Sequence, residues 1–140
     1  MTPELKLDAT RVQALLLSAF PGTPENLFPK VVEVEPGRVH LVLPYREGML
    51  RPGNLVSGPT LMGHADTAAY ALVLCHVGEQ MMAVTSSLVM NFLRGAKPGD
   101  VHAEGRLLRL GRRNAVCDVR LWTESPDRLA AQATVTYAIP

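Results

Sequence analysis

The 140-residue sequence predicts an α+β fold in which an antiparallel sheet curls around one buried helix. Three observations carry this. Leu61, Met62, Ala65, Ala68, Ala69, Leu72, Val73 and Cys75 cover most of a helical circumference. A helix apolar almost all round is buried on most sides. From Met82 onward the hydrophobic period changes to two, and turn signals divide the remaining chain into four strands.

The elements follow in order. Asp8 caps a first helix, with Val12, Leu15, Leu16 and Phe20 at helical spacing, and Pro21-Gly22 stops it. Residues 23–29 read as a loop. In 31–35, Val32 and Val34 alternate with Glu33 and Glu35; Pro36-Gly37 turns the chain, and Val39, Leu41 and Leu43 return on one face. That is a hairpin. Residues 44–53, with two prolines and two glycines, form a connection. Pro59 suits the first turn of the buried helix, where a missing N–H costs nothing, and Gly78 ends it. Strands are expected over 82–93, 101–110, 115–123 and 129–139, the last three as a meander. Gly105, mid-strand near Ala103, permits close approach of the helix. The chain reads as one domain, with 1–28 an N-terminal helix and loop and 29–140 the core.

Composition narrows the function. Lys+Arg exceed Asp+Glu by 14 − 13 = 1, so no long-range field draws nucleic acid or anionic lipid. Aromatic residues make up 5%, too few for a base-stacking platform. The apolar share of 47% is generous for a small soluble chain, which leaves surface for a partner chain. Cys75 and Cys117 read as buried thiols of a reducing compartment, without metal spacing. The first residues lack the basic-then-apolar pattern of a signal peptide. The longest apolar run, Ala68 to Cys75, falls far short of the roughly 20 residues that span a bilayer. A soluble, cytoplasmic protein is expected.

Asp66 is the anomaly. Met62, Ala69, Tyr70 and Val73 share its helical face. Burying an unpaired carboxylate is expensive, so Asp66 is either tied to a neighbouring loop, set on a narrow polar stripe, or functional. Thr85, Ser86 and Ser87 are a second polar intrusion, in an otherwise apolar strand. Alternation places Thr85 and Ser87 with Asn91, and Ser86 with Val84 and Leu88. Ser57 is a fair helix cap, and the Gly58 N–H beside it is a free donor at the positive end of the helix dipole. Such a donor can polarise a carbonyl. Asn54 is a further possible donor, with a turn as its default role. Gly58 and Asp66 are separated by about 12 Å at about 1.5 Å rise per residue, so both reach one carbonyl only if they come from two chains.

Leu61-Met-Gly-His-Ala-Asp66-Thr-Ala, Ala83 to Arg94, Gly99-Asp100, Leu108 to Arg113 and Ala131 to Ile139, in this order and spacing, resemble the PaaI-like hotdog-fold acyl-CoA thioesterases. The resemblance covers about Val31 to the C-terminus. It implies a hotdog fold, a long central helix wrapped by a five- to six-stranded antiparallel sheet. It also implies dimers with a continuous sheet, often paired into tetramers. Asp66 matches the family's nucleophile or general base, and Gly58 the amide that polarises the thioester carbonyl from the other subunit. Thr85 matches a hydroxyl that positions water in some members. Ser57 stands where the family commonly has histidine, and Asn54 is a candidate to replace part of that histidine's hydrogen bonding. No cofactor is implied beyond the coenzyme A of the substrate.

His64 and Asp66 point about 200° apart on a helix, so no metal pair forms there. His76 suits the helix C-terminus. His40 and His102 read as exposed strand residues. Arg106, Arg109, Arg112 and Arg113 make a local positive patch; Arg113 and Arg94 are the candidates for coenzyme A phosphates. The expected activity is hydrolysis of small or medium acyl-CoAs. A non-catalytic acyl-CoA binding protein is the alternative, and a hotdog dehydratase ranks behind both for want of a suitably placed histidine.

Overall fold

A computed structural model describes residues 3–140. Helix α1 spans Ala9–Ala19, with the Asp8 side chain accepting from the Arg11 N–H at 2.8 Å. Strands β1 (Lys30–Glu35) and β2 (Arg38–Leu43) form the expected hairpin. The 44–53 connection is more ordered than expected. It holds a 3-10 turn at Glu47–Met49 and the first strand of a small hairpin, β3 (Leu50–Arg51) with β4 (Leu55–Val56). Helix α2 spans Gly58–Val77. Strands β5 (Val84–Phe92), β6 (Val101–Leu110), β7 (Asn114–Trp122) and β8 (Ala131–Ala138) follow within two residues of their expected bounds.

The six long strands form one antiparallel sheet in the order β1-β2-β6-β7-β8-β5. One face wraps α2. Val39, Leu41, Val101, Ala103, Val119, Leu121, Ala133 and Val135 are fully buried there, opposite the buried helix residues Ala65, Ala68, Leu72 and Val73. Ala103 and Ala133, with Gly105 on the same face, let the backbone come close to α2. The other sheet face carries polar groups, including Arg38 hydrogen-bonded to Glu104 at 2.8 Å.

Three local expectations fail, each for a physical reason. Val32 is 44% exposed and does not share a face with Val34, because the β1–β2 register shifts between Val31 and Glu33. The extra residue inverts the alternation, so Val31 is buried instead. Phe20 is the residue after α1, not part of its buried stripe; it stacks on Phe28 and meets Tyr70 edge-on. A second register shift, between Thr85 and Ser87, separates those two residues onto opposite faces.

Candidate active site

Asp66 sits in the third turn of α2, half-buried, and faces the start of β5 and the end of β8. Two hydroxyls converge on one of its carboxylate oxygens. Thr85 Oγ1 donates to Asp66 Oδ1 at 2.7 Å, and Tyr137 Oη donates to the same Oδ1 at 2.8 Å. Thr85 and Tyr137 are paired across the β5–β8 ladder. The extra residue at Ser86 turns the Thr85 side chain to the helix side of the sheet, while Ser87 pairs with Thr136 on the other face.

Tyr137, which the structure brings to Asp66, is not among the candidates that the sequence singled out. Alternation along β8 sets it inward with Ala131, Ala133 and Val135. A hydroxyl on that inward face was the available signal, because a buried phenol needs a partner. Burial first, then the hydrogen bond to Asp66 and its charge, push the Tyr137 phenol far above its ordinary range, with Thr85 opposing. Tyr137 is therefore a donor, never an anion, near neutral pH.

Gly58 opens α2, and its N–H belongs to the first turn, which has no intrahelical acceptor. Ser57 is the cap: its Oγ accepts from the Thr60 N–H at 3.3 Å and lies 2.7 Å from Thr60 Oγ1. A cavity of about 460 Å³ adjoins Gly58, lined by Arg51, Leu55, Leu61, Phe92 and Arg94 among others. Arg94 thus stands with Gly58, and Arg51 joins it unforeseen, brought there by the β3–β4 hairpin. Asn54 is exposed in the tip of that hairpin with φ 58°, a turn conformation that asparagine tolerates. Arg113 lies elsewhere, in the β6–β7 turn, where its carbonyl accepts from the Ile139 N–H at 2.8 Å. That is the Thr85 end of the sheet, since Asn114 pairs with Ala138 and Ala138 with Val84. Within one chain, then, the candidates form two groups: Asp66, Thr85 and Tyr137 at one end of β5, and Gly58, Arg51 and Arg94 at the other.

The histidines are placed away from both groups. His64 is buried on the sheet side of α2, beside the carbonyls of Val101 and Leu41 but without hydrogen-bond geometry to any partner among the described residues. His76 is buried; its Nε2 accepts from the Gly37 N–H at 2.8 Å and its Nδ1 lies 2.8 Å from the Leu72 carbonyl. His40 and His102 are not free surface residues as expected. Their rings approach to 3.0 Å between Nε2 and Nδ1, and His102 stacks on Trp122. Burial pushes the free thiols of Cys75 and Cys117 up to about 12, which leaves them unreactive. Among the described residues no cluster suits a metal ion, and no helix is long and apolar enough to cross a membrane.

Comparison with known proteins agrees with this fold. The thioesterase superfamily model matches residues 53–137. A protein of Saccharolobus solfataricus named putative esterase is 30% identical over 110 residues, 79% of this chain and 77% of that protein. The crystal structure of a putative thioesterase from Silicibacter sp. TM1040 is 35% identical, covers 100% of this chain and 96% of that chain, and superposes with a TM-score of 0.89. The phenylacetic acid degradation protein PaaI of Thermus thermophilus, in the structure of a point mutant, is 26% identical over 83% of this chain and 96% of that chain, with a TM-score of 0.72. With its central helix, its six-stranded antiparallel wrap and a family match over more than half its length, this chain is a PaaI-like hotdog protein of the thioesterase superfamily, a thioester hydrolase.

Proposed function

We propose that the protein hydrolyses acyl-CoA thioesters of small or medium acyl groups, at sites shared between two copies of the chain. The observation that carries this is the split of the candidate residues into a carboxylate group and an amide-and-arginine group. Gly58 and Asp66 are about 12 Å apart along α2, too far for one carbonyl. Strand β5 ends the sheet, so its outer backbone groups are unpaired. Exposed apolar side chains crowd this edge, Val84 at 56%, Val89 at 57% and Phe92 at 54% among them. A second copy added antiparallel along β5 sets the Phe92 end of one strand beside the Thr85 end of the other. Phe92 reaches the helix start: a Cβ on Gly58 would stand 3.5 Å from its Cζ. The Gly58 amide of one chain is thereby carried toward Asp66 of its partner.

In that site the Gly58 N–H, at the positive end of a 20-residue helix, polarises the thioester carbonyl. Asp66 either attacks the carbonyl carbon, expelling the coenzyme A thiolate and leaving a mixed anhydride that water cleaves, or takes a proton from a water that attacks the carbonyl as the thiolate leaves. Thr85 donates to Asp66 and keeps its oxygen lone pairs free for that water. Arg94, with Arg51, and Arg113 from the other chain meet the phosphates of coenzyme A. Ser57 serves as the helix cap in place of the family's usual histidine, and Asn54 supports the turn before it. The reading extends to a cytoplasmic protein of one domain, working as a dimer or a pair of dimers, with no cofactor beyond coenzyme A in the substrate.

The test is turnover of a panel of aliphatic and aromatic acyl-CoAs by the wild type and Asp66→Ala. Hydrolysis by the wild type that Asp66→Ala abolishes supports the reading. Tight acyl-CoA binding with no turnover of any panel member makes the protein a binding module instead. Full activity of Asp66→Ala removes the carboxylate from the mechanism.

A further inference from the structure

We propose that Tyr137 is a positioning residue for Asp66: together with Thr85 it occupies Oδ1 and so dedicates Oδ2 to the substrate or water. The inference rests on the thioesterase reading above and adds a residue to it.

The geometry is specific. Both hydroxyls address the same oxygen, at 2.7 and 2.8 Å, and the Tyr137 hydroxyl also lies 3.2 Å from the Asp66 carbonyl oxygen. With Oδ1 tied from two directions, any turn of the carboxylate about its Cβ–Cγ bond carries that oxygen away from both donors and breaks those bonds. The free oxygen is therefore held in one place before substrate arrives, which is how a reacting group saves reorganisation at the moment of reaction.

The donor is itself fixed. Tyr137 is 4% exposed, and its ring stacks on Tyr70 with centroids 5.7 Å apart and planes 14° apart. Tyr70 is one turn beyond Asp66 on α2 and is anchored by its hydroxyl to the Met81 carbonyl at 2.7 Å. From the other side, β7 and β8 hold Tyr137 opposite Ala115, and β5 holds it opposite Thr85. A phenol locked on rigid elements meets the requirement that groups supporting a reacting side chain be immobile themselves. The bulge at Ser86 completes the pair, since without it the Thr85 side chain would leave the helix face.

Tyr137→Phe keeps the ring and removes only the hydroxyl. With acyl-CoA substrates it is expected to lower kcat about 10- to 100-fold while KM stays within about twofold, as befits loss of a charge-assisted hydrogen bond that acts on the reacting group and not on substrate binding. Thr85→Val, near-isosteric without a donor, should show the same split, and Thr85→Ser should restore kcat. Thermal melting of each variant establishes that it is folded. Wild-type kcat in Tyr137→Phe, or a change confined to KM, overturns the proposal; if Asp66→Ala is inactive in the same assays, the thioesterase reading survives that result. Full activity of Asp66→Ala instead overturns the reading itself, and the role of Tyr137 with it.

Discussion

Gly105 on β6 lies directly against Leu72 of α2: a Cβ at Gly105 would stand 3.4 Å from Leu72 Cδ2 and 3.2 Å from Val39 Cγ2. Leu72 and Val39 are both fully buried. The absence of a side chain at this point lets the central helix settle onto the sheet, with the Ala68 carbonyl 3.9 Å from where a Cβ would stand.

Gly105→Ala should therefore destabilise the protein. Val39 is β-branched with a stiff χ1, and both neighbours are fully buried in a close-packed interior. Overpacking of this kind costs about 1–3 kcal/mol. Thermal or denaturant unfolding reads the loss directly. An unchanged midpoint would mean that the helix can lift without cost, and the close approach would then have no energetic meaning.

Stability should also fall on acidification, beginning near pH 6.5. Burial holds His64 down to about 4, from an ordinary value of 6.5, and the neighbouring His102 and His40 add to the shift. Above 6.5 the ring is neutral whether the chain is folded or not. Between 6.5 and 4 the unfolded chain takes up a proton that the folded one refuses, so the folded state loses stability, by up to roughly 3 kcal/mol. His76 acts with the same sign: burial lowers it, and protonating its Nε2 would break the bond from the Gly37 N–H. His64→Leu should flatten the acid limb of a stability–pH curve measured by urea unfolding. Because both His64 ring nitrogens lack partners, it should not weaken the protein at pH 8.

Much of this fold could be read from residue order, and the reason is periodicity. Residues 61–75 are apolar around the helix, and four alternating runs follow it. Both signals survive because burial on the two elements is continuous. What could not be read were single-residue insertions. The shift at Val32 and the bulge at Ser86 each invert an alternation, and alternation is the only register signal that a lone strand carries. Asp66 stood out because a carboxylate among Ala65, Ala68 and Ala69 conflicts with its surroundings. Tyr137 did not, since a tyrosine in a strand conflicts with nothing until the partner of its hydroxyl is seen. Arg51 was missed for another reason. Its place beside Gly58 depends on the short β3–β4 hairpin, which lies in a stretch of prolines and glycines that reads as a plain connection.

Arg94 should matter for recognition and little for the chemical step. It lies in the cavity next to Gly58, where phosphates of coenzyme A would be held by charge. Arg94→Ala should raise KM for acyl-CoA about 3- to 10-fold with kcat nearly unchanged, and the effect should shrink as salt is added. The same acyl group carried on a short, phosphate-free thiol should be hydrolysed equally well by both proteins. A loss of equal size on both substrates would place Arg94 in the packing of the cavity and not in phosphate recognition. Arg51→Ala tests the second charge in the same way.

The proposal that sites are shared between chains makes a decisive prediction for mixtures of inactive variants. Gly58→Pro removes the one N–H at issue. Proline's fixed φ suits the first helical position, and Ser57 before it already has the extended backbone, ψ 151°, that a following proline requires; because Pro59 crowds a helical residue before it, thermal melting first establishes that the variant folds. A Cβ at this position meets only the edge of the Phe92 ring, at ordinary contact distance. Gly58→Pro and Asp66→Ala should each be inactive alone. In a mixed dimer, one site joins the two defects, while the other joins the intact Asp66 of one chain to the intact Gly58 of its partner. Co-expression with random pairing makes half the dimers mixed, each with one working site, so activity should return to about one quarter of the wild type. If Gly58 and Asp66 served the same site within one chain, every chain in the mixture would carry a broken site and no activity would return.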